Sequence, residues 1–126
     1  PAIGLIPDSA GTFFLPRLVG FQKASALAML GDKVPAAEAE QMGMIYKCIA
    51  TEQFEGFVSK VAGKLALAPT KGLGLTKRAL NASLQNNLEQ QLDVENDLQI
   101  EASETDDYRE GVAAFLEKRK PTFKGS

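Results

Sequence analysis

Phe54, Phe57, Val58, Val61 and Leu65 recur at i, i+3, i+4, i+7 and i+11, which is one stripe of an α-helix. From there to the end, the chain keeps a helical period between clear breaks. Pro69 closes this first helix. Leu73, Thr76, Leu80 and Leu84 carry the next, which Asn86-Asn87 interrupt. Leu88, Leu92 and Leu98 stripe a further helix. Its other positions, among them Glu89, Gln90, Gln91, Asp93, Glu95, Asn96 and Asp97, are polar, and they make either a solvated face or one that meets another subunit. In the last helix Thr105 is placed to cap, and Asp106 and Asp107 sit in the first turn, at the positive end of the dipole. Tyr108, Val112, Phe115 and Leu116 form its apolar stripe, Lys118, Arg119 and Lys120 crowd its end, and Pro121 stops it.

The first third is shorter in its elements. Residues 1 to 7 are apolar and hinged by Gly4 and Pro7, as at the end of a buried strand. Ser9 to Thr12 offer a helix start, with Ser9 or Asp8 as cap and Phe13, Phe14, Leu15 and Leu18 behind; Gly20 ends it. Lys23 to Leu30 is an Ala/Leu/Met helix closed by Gly31. Pro35 and Gly43 bracket a third helix, Pro35 to Met42. Met44 to Ile49 reads as the one convincing strand. This organisation predicts a division near residue 50, with 1–50 carrying a site loop and 51–126 a helical region suited to association.

Composition narrows the chemistry. The apolar fraction, 44% of 126 residues, is enough for a core, and the net charge of −2 gives no reason to bind nucleic acid or anionic membrane. No apolar run approaches the roughly 20 residues that span a bilayer. The chain has no histidine, which removes Ser-His and Cys-His catalysis and most zinc sites. Cys48 has no partner for an internal disulfide, and its apolar flanks make it a buried thiol rather than a nucleophile. No metal site is expected. The residue that stands out is Asp8, one acid in a tight Pro7-Asp8-Ser9-Ala10-Gly11 turn at the mouth of an apolar helix. It is a helix cap or a lone proton carrier. These roles conflict, because a cap stabilises the anion whereas a base needs a raised pKa.

The runs Ile3-Gly-Leu-Ile-Pro-Asp-Ser-Ala-Gly-Thr12, Leu15-Pro-Arg-Leu-Val-Gly20, Ala39-Glu-Gln-Met-Gly-Met44, Asp107-Tyr-Arg-Glu-Gly-Val-Ala-Ala-Phe115 and Glu117-Lys-Arg-Lys-Pro-Thr-Phe123 closely resemble the C-terminal half of the enoyl-CoA hydratase/isomerase (crotonase) superfamily. Within it, Pro7-Asp8-Ser9 looks most like the ring-epoxide isomerases of phenylacetate breakdown. The resemblance implies an α/β fold: a spiral of ββα turns, whose last part this chain matches, followed by a helical region that makes trimers, often paired into hexamers. It also implies a cytoplasmic enzyme acting on an acyl-CoA, with no cofactor beyond the CoA of the substrate. The oxyanion-hole donors are expected before Pro1, so the 126 residues alone are expected to be inactive, or to serve only in oligomerisation.

The implied reaction passes through a thioester enolate, which requires donors for the enolate oxygen and a base for the carbon-bound proton. Moving a double bond needs one carboxylate. Adding water needs a second acidic group or a held water. Hydratase-type members usually carry glycine at the position of Asp8 and a glutamate a few residues earlier, before Pro1. Asp8 therefore points to isomerisation, with hydration or another lyase reaction as the alternative. Ala10 departs from the family's usual glycine; if that position needs φ > 0, alanine is strained there. Phe115 and Lys118 match positions that reach the adenine and phosphate end of a neighbour's CoA, and a helical spacing of three would put them on one face. Without the resemblance they read as a core aromatic and a dipole partner. Arg17 reads as structural, and the tail after Pro121 as draped on a neighbour or disordered.

Overall fold

Seven helices follow one another in the computed structural model, which describes residues 4–126. They are α1 Gly11–Val19, α2 Phe21–Leu30, α3 Ala36–Gln41, α4 Thr51–Ala66, α5 Thr70–Ser83, α6 Leu88–Ser103 and α7 Asp106–Leu116. The chain divides into two compact units, Pro1–Phe54 and Glu55–Ser126, with the boundary inside the first turn of α4.

In the first unit α1 packs on α2, and the buried residues are small: Ala24 on α2 and Ala39 on α3. Gly20 and Gly31 take positive φ where α1 and α2 end, as their placement in the sequence predicts. The run Met44–Ile49 is not a strand, which corrects that expectation. Met44 and Ile45 both donate their N–H to the Ala39 carbonyl, and the Cys48 N–H goes to the Glu40 carboxylate at 2.8 Å. Lys47 pairs with the same carboxylate. The end of α3 thus takes the very groups that a ladder would use, while Ile45 and Tyr46 lie exposed. Cys48 is half-buried. The strand end expected at residues 1 to 7 falls partly outside the described residues. Its described part, from Gly4 to Pro7, is irregular, and Leu5 and Ile6 are exposed.

In the second unit α5 packs on α6 through Leu75 and Leu98. Gln91 of α6 donates to the Ala79 carbonyl, and Glu101 receives both Lys71 and Arg78 from α5. The Asn86-Asn87 break is a capping box: Asn87 accepts from the Gln90 N–H, and the Gln90 side chain accepts from the Asn87 N–H. The leucines of α6 do not form one stripe. Leu98 is buried at 9% exposure, whereas Leu88 is 76% exposed and Leu92 is also open. On α7 the residues buried are Asp107 and Ala114, while Tyr108, Val112, Phe115 and Leu116 face outward.

Those outward stripes have a measurable consequence. The chain exposes 10033 Å². Two separate compact bodies sharing its mass of 13.5 kDa would expose about 7,900 Å² in total. The apolar faces that a sequence reading assigns to a core are therefore largely surface in this chain.

Candidate active site

Asp8 opens a tight turn. The Gly11 N–H donates to the Asp8 carbonyl at 2.8 Å, and both central residues have positive φ, 51° at Ser9 and 63° at Ala10. That is the pattern of a type I′ turn, which favours glycine, asparagine or aspartate at both positions. Serine and alanine there store strain, on the order of 1 kcal/mol each. Ala10, not Asp8 or Ser9, is the N-cap of α1, and no side chain caps the helix. Both capping expectations are thereby corrected. The carboxylate takes no N–H of the helix; Asp8 is exposed, and among the described residues it accepts one side-chain hydrogen bond, from Ser9 Oγ at 3.3 Å. The cap reading of Asp8 is thereby excluded.

The strain at Ala10 is directly measurable. Ala10→Gly should stabilise the chain by about 1 kcal/mol in urea unfolding, because glycine adopts φ 63° without cost. A loss of stability would show that the turn is not strained at this residue.

An apolar groove of about 300 Å³ runs beside the turn, between α1 and α2. Pro7 and Gly11 form its near end, and Leu15, Phe21, Ala24 and Met29 continue it. Its walls offer a hydrophobic chain a place to lie against the residues that flank Asp8. Arg17 takes no part: it donates to the Phe13 carbonyl at 2.8 Å and stacks over the Phe13 ring at 3.6 Å, as a packing residue.

The second unit carries the other two residues singled out by sequence. Phe115 is 82% exposed at the rim of a groove of about 440 Å³ along α7, which corrects its reading as core. Lys118 is not on the helix. α7 ends at Leu116, and Lys118 takes φ 55° with its N–H on the Phe115 carbonyl, while the Arg119 N–H reaches the Ala114 carbonyl. This pair of bonds is a Schellman motif with lysine where glycine is usual. It stops the helix well before Pro121, and the helical spacing of Phe115 and Lys118 no longer relates their side chains.

The tail is ordered and folds back on its own helix. Asp107, 3% exposed, accepts from the Lys124 N–H at 2.6 Å and the Gly125 N–H at 2.8 Å, and its own N–H donates to the Ser126 carbonyl. Gly125 has φ 82°, and a Cβ there would run into Thr70 Oγ1. One turn along α7, Glu110 takes a two-pronged ion pair from Arg119, at 2.6 and 2.8 Å, and the Thr122 N–H at 2.7 Å. The Arg119 guanidinium first, and then the Thr122 N–H, hold the Glu110 carboxyl down to about 2. Among the described residues no group of acids and cysteine is placed to hold a metal ion, and no helix is long and apolar enough to cross a membrane.

Residues 1–126 match the enoyl-CoA hydratase/isomerase family along their whole length. The chain belongs to this family. It is 46% identical over 123 residues to 1,2-epoxyphenylacetyl-CoA isomerase of Escherichia coli, covering 98% of this chain and 47% of that protein. To a probable enoyl-CoA hydratase of Rhodobacter capsulatus it is 43% identical, covering 98% and 48%. The crystal structure of enoyl-CoA hydratase from Bacillus anthracis superposes with a TM-score of 0.93 at 31% identity, covering 99% of this chain and 48% of that one. The enoyl-CoA hydratase/isomerase chain described here thus has the crotonase fold in its helical part, and it spans about half the length of the curated relatives it matches. Asp107 and Arg119 look in the sequence like helix-end charges, and Glu110 carries no role there. Their one signal is the pairing of acids three apart on α7 with a basic, Pro-containing tail.

Proposed function

We propose that this chain supplies the acid/base of an acyl-CoA isomerase, with Asp8 in that role. The observation that carries the reading is the strained Asp8–Gly11 turn, which leaves the carboxylate unbound to the helix end, while Pro7 and Gly11 on either side of it line an apolar groove. Strain held at non-glycine residues is characteristic of functional turns. In the reaction, the Asp8 carboxylate removes a proton from the acyl carbon next to the thioester carbonyl. Charge moves to the thioester oxygen, and the same carboxyl returns the proton to the carbon two bonds further on. A 3-enoyl-CoA becomes a 2-enoyl-CoA with no net exchange of atoms. The isomerase name of the Escherichia coli relative supports this reading, and extends it to a ring epoxide as substrate.

Phe115 and Lys118 are proposed to meet the adenine and phosphate end of CoA. Their support is exposure, and the presence of lysine at a glycine position, a choice that costs stability. The open leucines of α6 and the outward stripe of α7 support a homo-oligomer, a trimer or a pair of trimers. A hydratase is the second reading, favoured by the name of the Rhodobacter capsulatus relative.

Turnover in ¹⁸O-labelled water separates the two. The protein at its full natural length, given 3-enoyl-CoA, should yield 2-enoyl-CoA free of label. Labelled hydroxyacyl-CoA formed from a 2-enoyl-CoA, with 3-enoyl-CoA left unchanged, would establish the hydratase reading instead.

A further inference from the structure

Two acids on α7, Asp107 and Glu110, strap the last residues of the chain against the helix. Asp107 anchors the far end at Lys124 and Gly125. Glu110 acts closer in, on two residues that follow the turn out of the helix, Arg119 and Thr122. Immediately before Arg119 stands Lys118 at φ 55°. A lysine pays for that conformation, and only two weakly protected backbone bonds close the turn, Lys118 N–H to Phe115 at 3.3 Å and Arg119 N–H to Ala114 at 3.0 Å. Arg119 is the residue whose backbone closes the motif and whose guanidinium is gripped by Glu110 in two places and by Glu117 in a third.

We propose that Glu110 is a positioning residue: by gripping Arg119 it holds the neighbouring Lys118 in a left-handed turn that lysine would not keep unaided, and so fixes where that ammonium group stands. The grip has the right form for the task. A planar guanidinium met by both carboxylate oxygens fixes orientation as well as distance, which a single-point contact would not do. The Thr122 N–H on the same carboxylate stops the chain from swinging about that pair.

The test is a cycle of amide hydrogen exchange on the 126-residue chain, read at Lys118 and Arg119. Glu110→Gln keeps an oxygen for Thr122 but loses the ion pair, and should speed exchange at both amides about three- to tenfold. Lys118→Gly removes the strain, because glycine takes positive φ freely. Added to Glu110→Gln, it should slow exchange at both amides back to within about twofold of the parent, because the turn no longer needs the grip. No acceleration in Glu110→Gln, or no return toward the parent rate in the double variant, overturns the proposal, because Glu110 would then only staple the tail.

A second arm rests on the CoA reading of Lys118. Coenzyme A titrated against the chain should bind more weakly in Glu110→Gln and in Lys118→Ala, with the double variant no weaker than Lys118→Ala alone. Additive losses would again overturn the proposal. If Lys118→Ala binds coenzyme A as the parent does, the CoA reading falls, and the exchange cycle alone decides the role of Glu110.

Discussion

Asp8→Asn should lower isomerase turnover of the protein at its full natural length by about 100- to 10,000-fold, the usual contribution of a placed general acid/base. Asparagine fills the same space but cannot take and return a proton. The fold should be indifferent to the change, since Asp8 is exposed, caps no helix, and among the described residues accepts one side-chain hydrogen bond, from Ser9 Oγ. The measurement is kcat for a 3-enoyl-CoA, with circular dichroism and the unfolding midpoint as controls. Turnover within a few-fold of the parent would remove Asp8 from the mechanism. A fall in the midpoint would instead show that the carboxylate supports the turn.

The largest effect on stability is expected at Asp107. Its carboxylate is buried and takes two backbone N–H groups from the tail. Asp107→Ala removes two charge-assisted bonds and leaves the Lys124 and Gly125 N–H groups without their partner. Bonds to a charged group contribute about 1.5–3 kcal/mol each, less where the freed donors reach water. The second unit should therefore lose about 2–4 kcal/mol in urea unfolding, and carboxypeptidase should trim the tail far faster. Asp107→Asn, which retains one acceptor oxygen, should fall between the two. An unfolding curve unchanged in Asp107→Ala would mean that the tail is held by something other than this side chain.

The helices were legible in the sequence where local chemistry decides them. Thr105 caps α7, Asn86-Asn87 break the chain before α6, and Gly20 and Gly31 close the first two helices, because each acts within one turn of its own position. What failed were inferences about what lies across from a residue. The period of Leu88, Leu92 and Leu98 does not say that of the three only Leu98 is buried. The β-like run at Met44–Ile49 does not show that Ala39 and Glu40 claim its N–H groups. At the candidate site, the position and identity of Asp8 were readable, and so was the choice between cap and base. The cap reading falls because Ser9 and Ala10 both take positive φ, a condition foreseen at Ala10 alone. Lys118 misled in the same way: a run of basic residues looks like a helix end, and the turn that lifts it off the helix depends on Glu110, eight positions back.

The Asp107 anchor also sets an order of events in synthesis. A ribosome builds the chain from its amino end, at roughly 5–20 residues each second, so α7 emerges before the residues that fill its first turn. Its buried carboxylate has to wait in water until Lys124 and Gly125 arrive, and the helix cannot lock against its own tail before then. The final step in making this unit is therefore tied to the passage of a few specific residues through the exit tunnel, and the nascent chain remains open to partners and proteases up to that moment.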